Sequence, residues 1–355
     1  MKLLLVVPDL SLLGGVANHY LGLSGYWNSD IHYATYGKRK HIPAPLTLLP
    51  DIIVFICKLM FHRFDAVVVN PSFRRYQLMR DGIYVLIALI FKKKVITFFH
   101  GWDTALAQKL ENRRSVFAKV YGNSAFIYVL YSGFKTSLLR MGIKCPILQT
   151  TTKIDDKLLD LPFPVKPIQI RRILFLSRII KTKGIYIALD AFSILKDEFK
   201  DLTLLICGDG EELEAAQGYA KEKGIVDVTF AGRVDGMKLA ESYQQSDIYV
   251  LPSYEEGLAT SVLEAMGFGL PVITRPVGGI VDFFVNGEMG QLVDSLAPED
   301  FAQAIRTYIL SPHLCREIGY HNRQYASTHF RASRIAKQFE DDIRTYCQQD
   351  ARQVN

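Results

Sequence analysis

The stretch Tyr254-Glu-Glu-Gly-Leu-Ala-Thr-Ser-Val-Leu-Glu-Ala-Met-Gly-Phe-Gly-Leu-Pro-Val-Ile-Thr274 carries the reading of the fold. It follows an apolar run, Ile248–Leu251, that reads as a buried strand. Pro252–Gly257 is then a loop, with a helix predicted to start near Thr260 or Ser261. Gly269-Leu-Pro ends that helix, and Pro271–Thr274 reads as the next strand. Strand, loop, helix and strand in this order make a parallel βαβ unit.

The same alternation runs along the whole chain. In the front half, strands are predicted over Lys2–Val7, Ala66–Asn70, Lys94–Phe99 and Ala125–Leu130, with helices including Tyr76–Phe91 and Phe134–Met141. In the back half, strands are predicted over Arg172–Leu176, Leu202–Cys207, Asp227–Ala231, Ile248–Leu251 and Pro271–Thr274. Their nearly continuous Val/Ile/Leu/Phe runs fit sheets covered on both faces. Asp155–Gln169, with Pro162, Pro164 and Pro167 among charges, reads as a linker. The expected organisation is an N-terminal Rossmann-like domain over 1–165, a second over 166–330, and a closing helix and tail over 331–355. Ligands of open α/β sheets bind beyond the carboxyl ends of the strands, so two such edges facing each other would form a polar cleft.

Composition narrows the class. At 49% hydrophobic and 22% charged, the 355-residue chain has apolar material for two cores. Cys57, Cys145, Cys207, Cys315 and Cys347 are widely spaced, with no Cys-x-x-Cys, so neither a disulfide framework nor a zinc site is expected and a reducing cytoplasm fits. The apolar run after Met1 stops at Pro8-Asp9 and reads as a first strand rather than a leader. No uninterrupted apolar stretch is long enough for a membrane span.

Charge is uneven. Residues 1–165 hold 21 Lys/Arg against 10 Asp/Glu, whereas 166–355 hold 21 against 26. The basic half is either a solvated face or the seat of an acidic partner. Basic residues flank apolar helices at Pro50–Phe61 and at Arg74–Lys94. That pattern suits an anionic membrane surface, and equally a helix buried against a sheet. Nothing in the sequence reads as a nucleic-acid-binding motif.

Glu256 and Glu264 flank the expected helix start, roughly 12 Å or more apart along the backbone. A helix N-terminus between them favours phosphate. Carboxylates accept hydrogen bonds from hydroxyls. A sugar nucleotide matches this layout, with hydroxyls at both ends and a diphosphate in the middle. Taken alone, Ser261-Val-Leu-Glu264 also reads as a capping box.

The segment Glu256-Gly-Leu-Ala-Thr-Ser-Val-Leu-Glu264-Ala-Met-Gly-Phe-Gly-Leu-Pro-Val272 resembles the E-x7-E motif of retaining glycosyltransferases of family 4, which have the GT-B fold. Leu176-Ser-Arg178-Ile-Ile-Lys-Thr-Lys183-Gly184 resembles that family's G-R-L-x3-K-G, with Lys181 as an alternative to Lys183. Cys207-Gly208-Asp-Gly210 and Phe230-Ala-Gly232-Arg-Val are similar to its later turns, and Leu13-Gly14-Gly15 to its first loop. The resemblance is dense over 170–295 and scattered in the front half. Ser177, Leu258, Ala259 and Val281-Asp282 depart from the usual pattern, which bears on the identity of the sugar.

The resemblance implies catalytic roles for Glu256, Arg178, Lys183 and His100. It places Gly14, Gly15, Gly208, Gly257, Leu258, Ala259, Thr260 and Glu264 against the donor. Glu256 would meet the donor sugar, Glu264 the ribose, and the two cations the diphosphate in place of a metal. The activity implied is hexose transfer, with retention, from a UDP- or GDP-sugar to a glycan acceptor, lipid-linked and serving polysaccharide or lipopolysaccharide synthesis at the inner membrane face. No cofactor or metal is expected. A GT-B-like sugar-nucleotide epimerase, or a sugar-nucleotide-binding protein without catalysis, is the alternative. Alanine at Glu256, Arg178 or Lys183 is expected to cut turnover strongly and leave the fold intact.

Overall fold

A computed structural model describes residues 1–11, 14–37, 44–111, 116–163 and 169–352. The chain forms two compact units, Met1–Lys153 with Ala332–Asn355, and Ile154–Arg331. Both are α/β. Leu13, Pro164 and Pro167, used above for the first loop and the linker, lie outside the described residues.

In the first unit, six parallel strands are β1 (Lys2–Pro8), β2 (Asp30–Tyr36), β3 (Ala66–Val69), β4 (Lys94–Phe99), β5 (Phe126–Val129) and β6 (Ile147–Gln149). Their order is β2-β1-β3-β4-β5-β6. β3 and β5 are buried along their whole length, as strands covered on both faces must be. The chain order reverses at β1, which pairs with β2 on one side and β3 on the other.

The second unit holds β7 (Arg172–Leu176), β8 (Thr203–Cys207), β9 (Val228–Gly232), β10 (Ile248–Leu251), β11 (Val272–Thr274) and β12 (Gly290–Leu292). The order β12-β11-β10-β7-β8-β9 is that of a Rossmann sheet, with its switch point between β7 and β10.

Three strands were not anticipated: β2, β6 and β12. β2 carries Asp30, His32 and Thr35 and lies at a sheet edge, while β6 and β12 are three residues long at two further edges, the fourth being β9. Half-exposed edges need no continuous apolar run, so composition does not mark them.

The unit boundaries differ from the sequence reading. The chain passes from one unit to the other at 153/154, before the proline-bearing stretch. Asp155 caps a short helix, Asp156–Leu159, by accepting from the Lys157 N–H at 3.0 Å. Leu159 is buried in the second core, and the Arg323 guanidinium donates to the carbonyls of Leu159 and Leu161. Those contacts make 155–161 part of the second unit. The final helix, Ala332–Arg352, belongs to the first. There Phe339 stacks on Tyr128 at 5.3 Å, Tyr128 donates to Asp342 at 2.7 Å, and the buried Glu340 accepts from the Ser29 and Asn28 N–H groups.

Candidate active site at the β7/β10 switch point

Two loops leave adjacent strands at the switch point of the second unit. One, Ser177–Gly184, follows β7, and the other, Pro252–Ala259, follows β10. Backbone bonds fix them. The Tyr254 N–H donates to the Thr182 carbonyl at 2.9 Å, and the Ser177 and Ile179 N–H groups donate to the carbonyls of Cys207, which ends β8, and of Asp209 just beyond it. Gly184 sits in the left-handed region at φ 75°, where a Cβ would lie 2.2 Å from the Pro252 carbonyl oxygen. Gly208 has φ 144°, and a Cβ there would lie 1.8 Å from the Ser177 oxygen. Both glycines let backbones touch. For Gly208 this is a packing reason that needs no ligand.

These loops bring Lys183 and Glu256 together. The Lys183 ammonium donates to a Glu256 carboxylate oxygen, and the side chains are only 12% and 6% exposed. Ser253 Oγ donates to the same oxygen at 2.8 Å. A nearly buried ion pair is costly to split, because the remaining charge is left unpaired. Alanine at either residue therefore burdens the fold, contrary to the sequence expectation for these two. Lys181 is exposed, so Lys183 is the lysine that reaches Glu256. Arg178 is exposed on the same loop, and its side chain has no partner among the described residues.

The helix after the second loop is Thr260–Gly267. Its N-cap is Ala259, and no side chain caps it. The capping-box alternative is not formed. Ser261 Oγ instead accepts from Tyr249 at 2.7 Å, and a Glu264 oxygen accepts from Tyr243 at 2.9 Å. Tyr243 is fully buried, and burial beside the Glu264 charge pushes its hydroxyl well above the ordinary range, so it remains a donor. Gly257 is held by its carbonyl, which accepts from Gly279 at 2.7 Å. Leu258 is half-buried, Ala259 buried, and Thr260 begins the helix. One end of the segment thus holds a carboxylate paired with lysine, and the other a carboxylate oriented by tyrosine.

Sequence reasoning missed Arg275. It follows β11 and aims its guanidinium at the Ser253 and Tyr254 carbonyls, at 3.4 and 3.5 Å, with Asp294 at 3.7 Å. A lone Arg before Pro276 gave no signal, because its target is backbone.

The remaining candidates lie at the switch point of the first unit. His100 ends β4, and its Nε2 lies 3.0 Å from Asn70 Oδ1. Tyr20 donates to the same oxygen at 2.7 Å, while the Asn70 amide donates to the Val6 carbonyl of β1. Burial pushes His100 down to about 3, so it stays neutral near pH 7. His19 is buried beside it, ring centroids 5.2 Å apart, with its Nε2 unpartnered and its pKa also lowered by burial. His19 and Asn70 were not singled out from the sequence, although His19 sits in the Gly-Gly-Val-Ala-Asn-His run. Gly14 caps the helix Gly15–Leu23, and a Cβ on Gly14 or Gly15 would meet nothing within 4 Å. The space over both is open.

The family described as glycosyl transferases group 1 matches residues 164–325, nearly all of the second unit. The chain is 28% identical over 232 residues to the amylovoran biosynthesis glycosyltransferase AmsK of Erwinia amylovora, covering 62% of this chain and 55% of that one. It is 27% identical over 176 residues to the capsular polysaccharide biosynthesis glycosyltransferase CapM of Staphylococcus aureus, covering 48% and 45%. The chain thus spans about half the length of these curated relatives. Among solved structures, Anabaena Alr3699/HepE in complex with UDP-glucose superposes with a TM-score of 0.76 at 17% identity, covering 97% of this chain and 100% of that one. Two six-stranded parallel sheets with this likeness define the GT-B fold.

Proposed function

We propose that the protein is a retaining glycosyltransferase that moves a hexose from a nucleoside-diphosphate sugar to a hydroxyl of a glycan acceptor. The carrying observation is the Lys183–Glu256 contact between the two loops at one sheet switch point, with Arg178 on the loop of Lys183 and the Thr260–Gly267 helix starting at the end of the loop of Glu256. The group 1 match spans all of them. HepE, of the same fold, was solved with UDP-glucose, which supports a UDP-sugar among the candidate donors. CapM and AmsK are biosynthesis glycosyltransferases, the former of capsular polysaccharide, which supports a role in surface polysaccharide synthesis; the acceptor in this reading is lipid-linked and met at the cytoplasmic face.

In this reading the acceptor oxygen bonds to the anomeric carbon on the face from which the diphosphate leaves. The carbon–oxygen bond to the diphosphate breaks, and the acceptor proton passes to a phosphate oxygen of the leaving group. Arg178 and Lys183 stabilise the negative charge that builds there. Lys183 exchanges its Glu256 contact for phosphate, and Glu256, still held by Ser253, accepts from a sugar hydroxyl. Glu264 takes the ribose. His100, neutral, donates or accepts at the first unit's sheet edge without carrying charge.

The test is acceptor-dependent release of nucleoside diphosphate, with product stereochemistry read by NMR. Retention and acceptor dependence support the assignment. Release or sugar interconversion without acceptor favours the epimerase alternative, and binding without turnover favours the non-catalytic one.

A further inference from the structure

The first unit leaves an apolar surface uncovered on two neighbouring helices, Ala44–Phe61 and Arg75–Ile90. They lie side by side, with Phe55 of one against Tyr84 of the other at 5.1 Å. On the second helix, Leu78, Asp81, Val85 and Ala88 are buried against the unit. Its opposite stripe is Tyr76, Met79, Ile83, Leu86 and Ile90, all exposed, spaced three or four residues apart. The first helix repeats the pattern: Phe55 and Leu59 are buried, while Leu49, Ile53, Val54, Met60 and Phe61 are exposed. Phe61 and Ile90, at the C-terminal ends, are each 77% exposed. Single exposed apolar side chains are ordinary, but ten on two adjacent helices form a patch.

Charge identifies what covers it. From 44 to 94 the chain carries eight Lys/Arg and three Asp. Asp51 and Asp81 are buried, and Asp81 is held by Arg80 at 2.7 and 2.9 Å. Arg63, Arg74, Arg75 and Lys92 stand exposed at the helix ends, and none has an ion-pair partner among the described residues. A rim of free cations around an apolar face matches an anionic lipid surface: acyl boundary under the stripe, headgroups against the rim. A folded protein partner would call for polar and acidic complements distributed over the face. Among the described residues no helix is long and apolar enough to cross a membrane, so the contact is one of lying on the surface.

We infer that these two exposed stripes are a membrane-docking face that seats the first unit on anionic phospholipid. The inference rests on the lipid-linked acceptor proposed above and adds where the protein meets the bilayer. Docking here would hold a membrane-borne acceptor near the unit expected to receive it, raising its local concentration.

The full chain should co-sediment with phosphatidylglycerol vesicles at low salt, weakly with phosphatidylcholine, and less with phosphatidylglycerol at high salt. Phe61→Asp with Ile90→Asp, both at exposed positions, should weaken vesicle binding about tenfold or more with the melting temperature unchanged. Arg74→Ala with Arg75→Ala should reduce the preference for phosphatidylglycerol while keeping the apolar stripe. Absence of binding to phosphatidylglycerol at low salt overturns the inference, as does wild-type binding by the Asp variant. A solution dimer that Ile90→Asp converts to monomer also overturns it, assigning the face to a second copy. A melting shift with UDP-glucose or GDP-mannose is read on the same variants. A retained shift leaves the glycosyltransferase reading standing whatever the vesicles show, and a shift absent from the wild type strikes that reading alone.

Discussion

Each unit reverses its strand order beside its first strand, after one further strand in the first unit and two in the second, and the two reversals carry different chemistry. At the β7/β10 switch the loops gather charge: an ion pair, a free arginine and a second carboxylate. At the β1/β3 switch the hydrogen-bonding groups are neutral, an amide, a phenol and two imidazoles that burial keeps unprotonated, with Lys153 as the charge beside His19. A charged site suits a charged ligand such as a diphosphate. A neutral hydrogen-bonding site suits hydroxyls, whose recognition needs donors and acceptors but no counter-charge. Fold alone therefore does not assign function here, and the proposed reading rests on the side chains at the two switch points.

The largest expected break in this contrast comes from Arg178. Arg178→Ala should lower kcat/KM about 100- to 1,000-fold, as loss of one preorganised cation does, with an unchanged melting temperature because the side chain is exposed and free. Lys183→Ala should lower activity similarly and also cost about 3 kcal/mol of stability, since it leaves Glu256 unpaired in a nearly buried site. Chemical denaturation separates the two cases. The Lys183→Ala, Glu256→Ala double variant should recover part of that stability and none of the activity.

Glycines sharpen the comparison next. Gly208→Ala forces a Cβ onto the Ser177 carbonyl and should destabilise the second unit by about 2 kcal/mol or more. Gly15→Ala meets open space at a helix start and should be neutral or stabilising by up to about 1 kcal/mol. A fall in turnover at Gly15→Ala without loss of stability would mark that backbone as a donor contact.

The neutral site makes a pH prediction. The folded pKa of His100 is lowered to about 3 from an unfolded value near 6.5, so the unfolded chain binds more protons between those limits. Stability must then fall as pH drops from about 7 towards 3, with His19 acting in the same direction. At pH 5 the contribution of His100 is about 1–2 kcal/mol, and His100→Asn should flatten the melting profile. Turnover should show no step assignable to His100 between pH 6 and 9. The smallest effect is at Tyr243→Phe, which removes one hydrogen bond to Glu264. It should cost about 1 kcal/mol and raise the donor KM more than it lowers kcat.

Legibility in the sequence followed burial. β1, β3, β4 and β5, and β7, β8, β10 and β11, announced themselves as apolar runs because they are largely covered on both faces, whereas β9 was legible although it is a half-exposed edge strand. The edge strands β2, β6 and β12 did not, and the helix Asp156–Leu159 was hidden by neighbouring prolines and charges. The charged site was readable because its residues lie in two short segments with strong spacing. The neutral site was only half readable. His100 stood at a strand end, but Asn70 and His19 join it through topology, over separations that no local pattern spans. Arg275 acts on carbonyls, which any sequence supplies. The Ser261/Glu264 capping reading failed because two buried tyrosines from other elements claim those side chains.

The most direct measurement is the melting temperature with saturating UDP-glucose and GDP-mannose, for the wild type and Arg178→Ala. A ligand that binds the native state raises it by mass action. A clear rise in the wild type with at least one of the two, lost or sharply reduced in Arg178→Ala, is predicted. No rise with either sugar nucleotide, or an equal rise in the variant, would contradict a diphosphate seat at the β7/β10 switch.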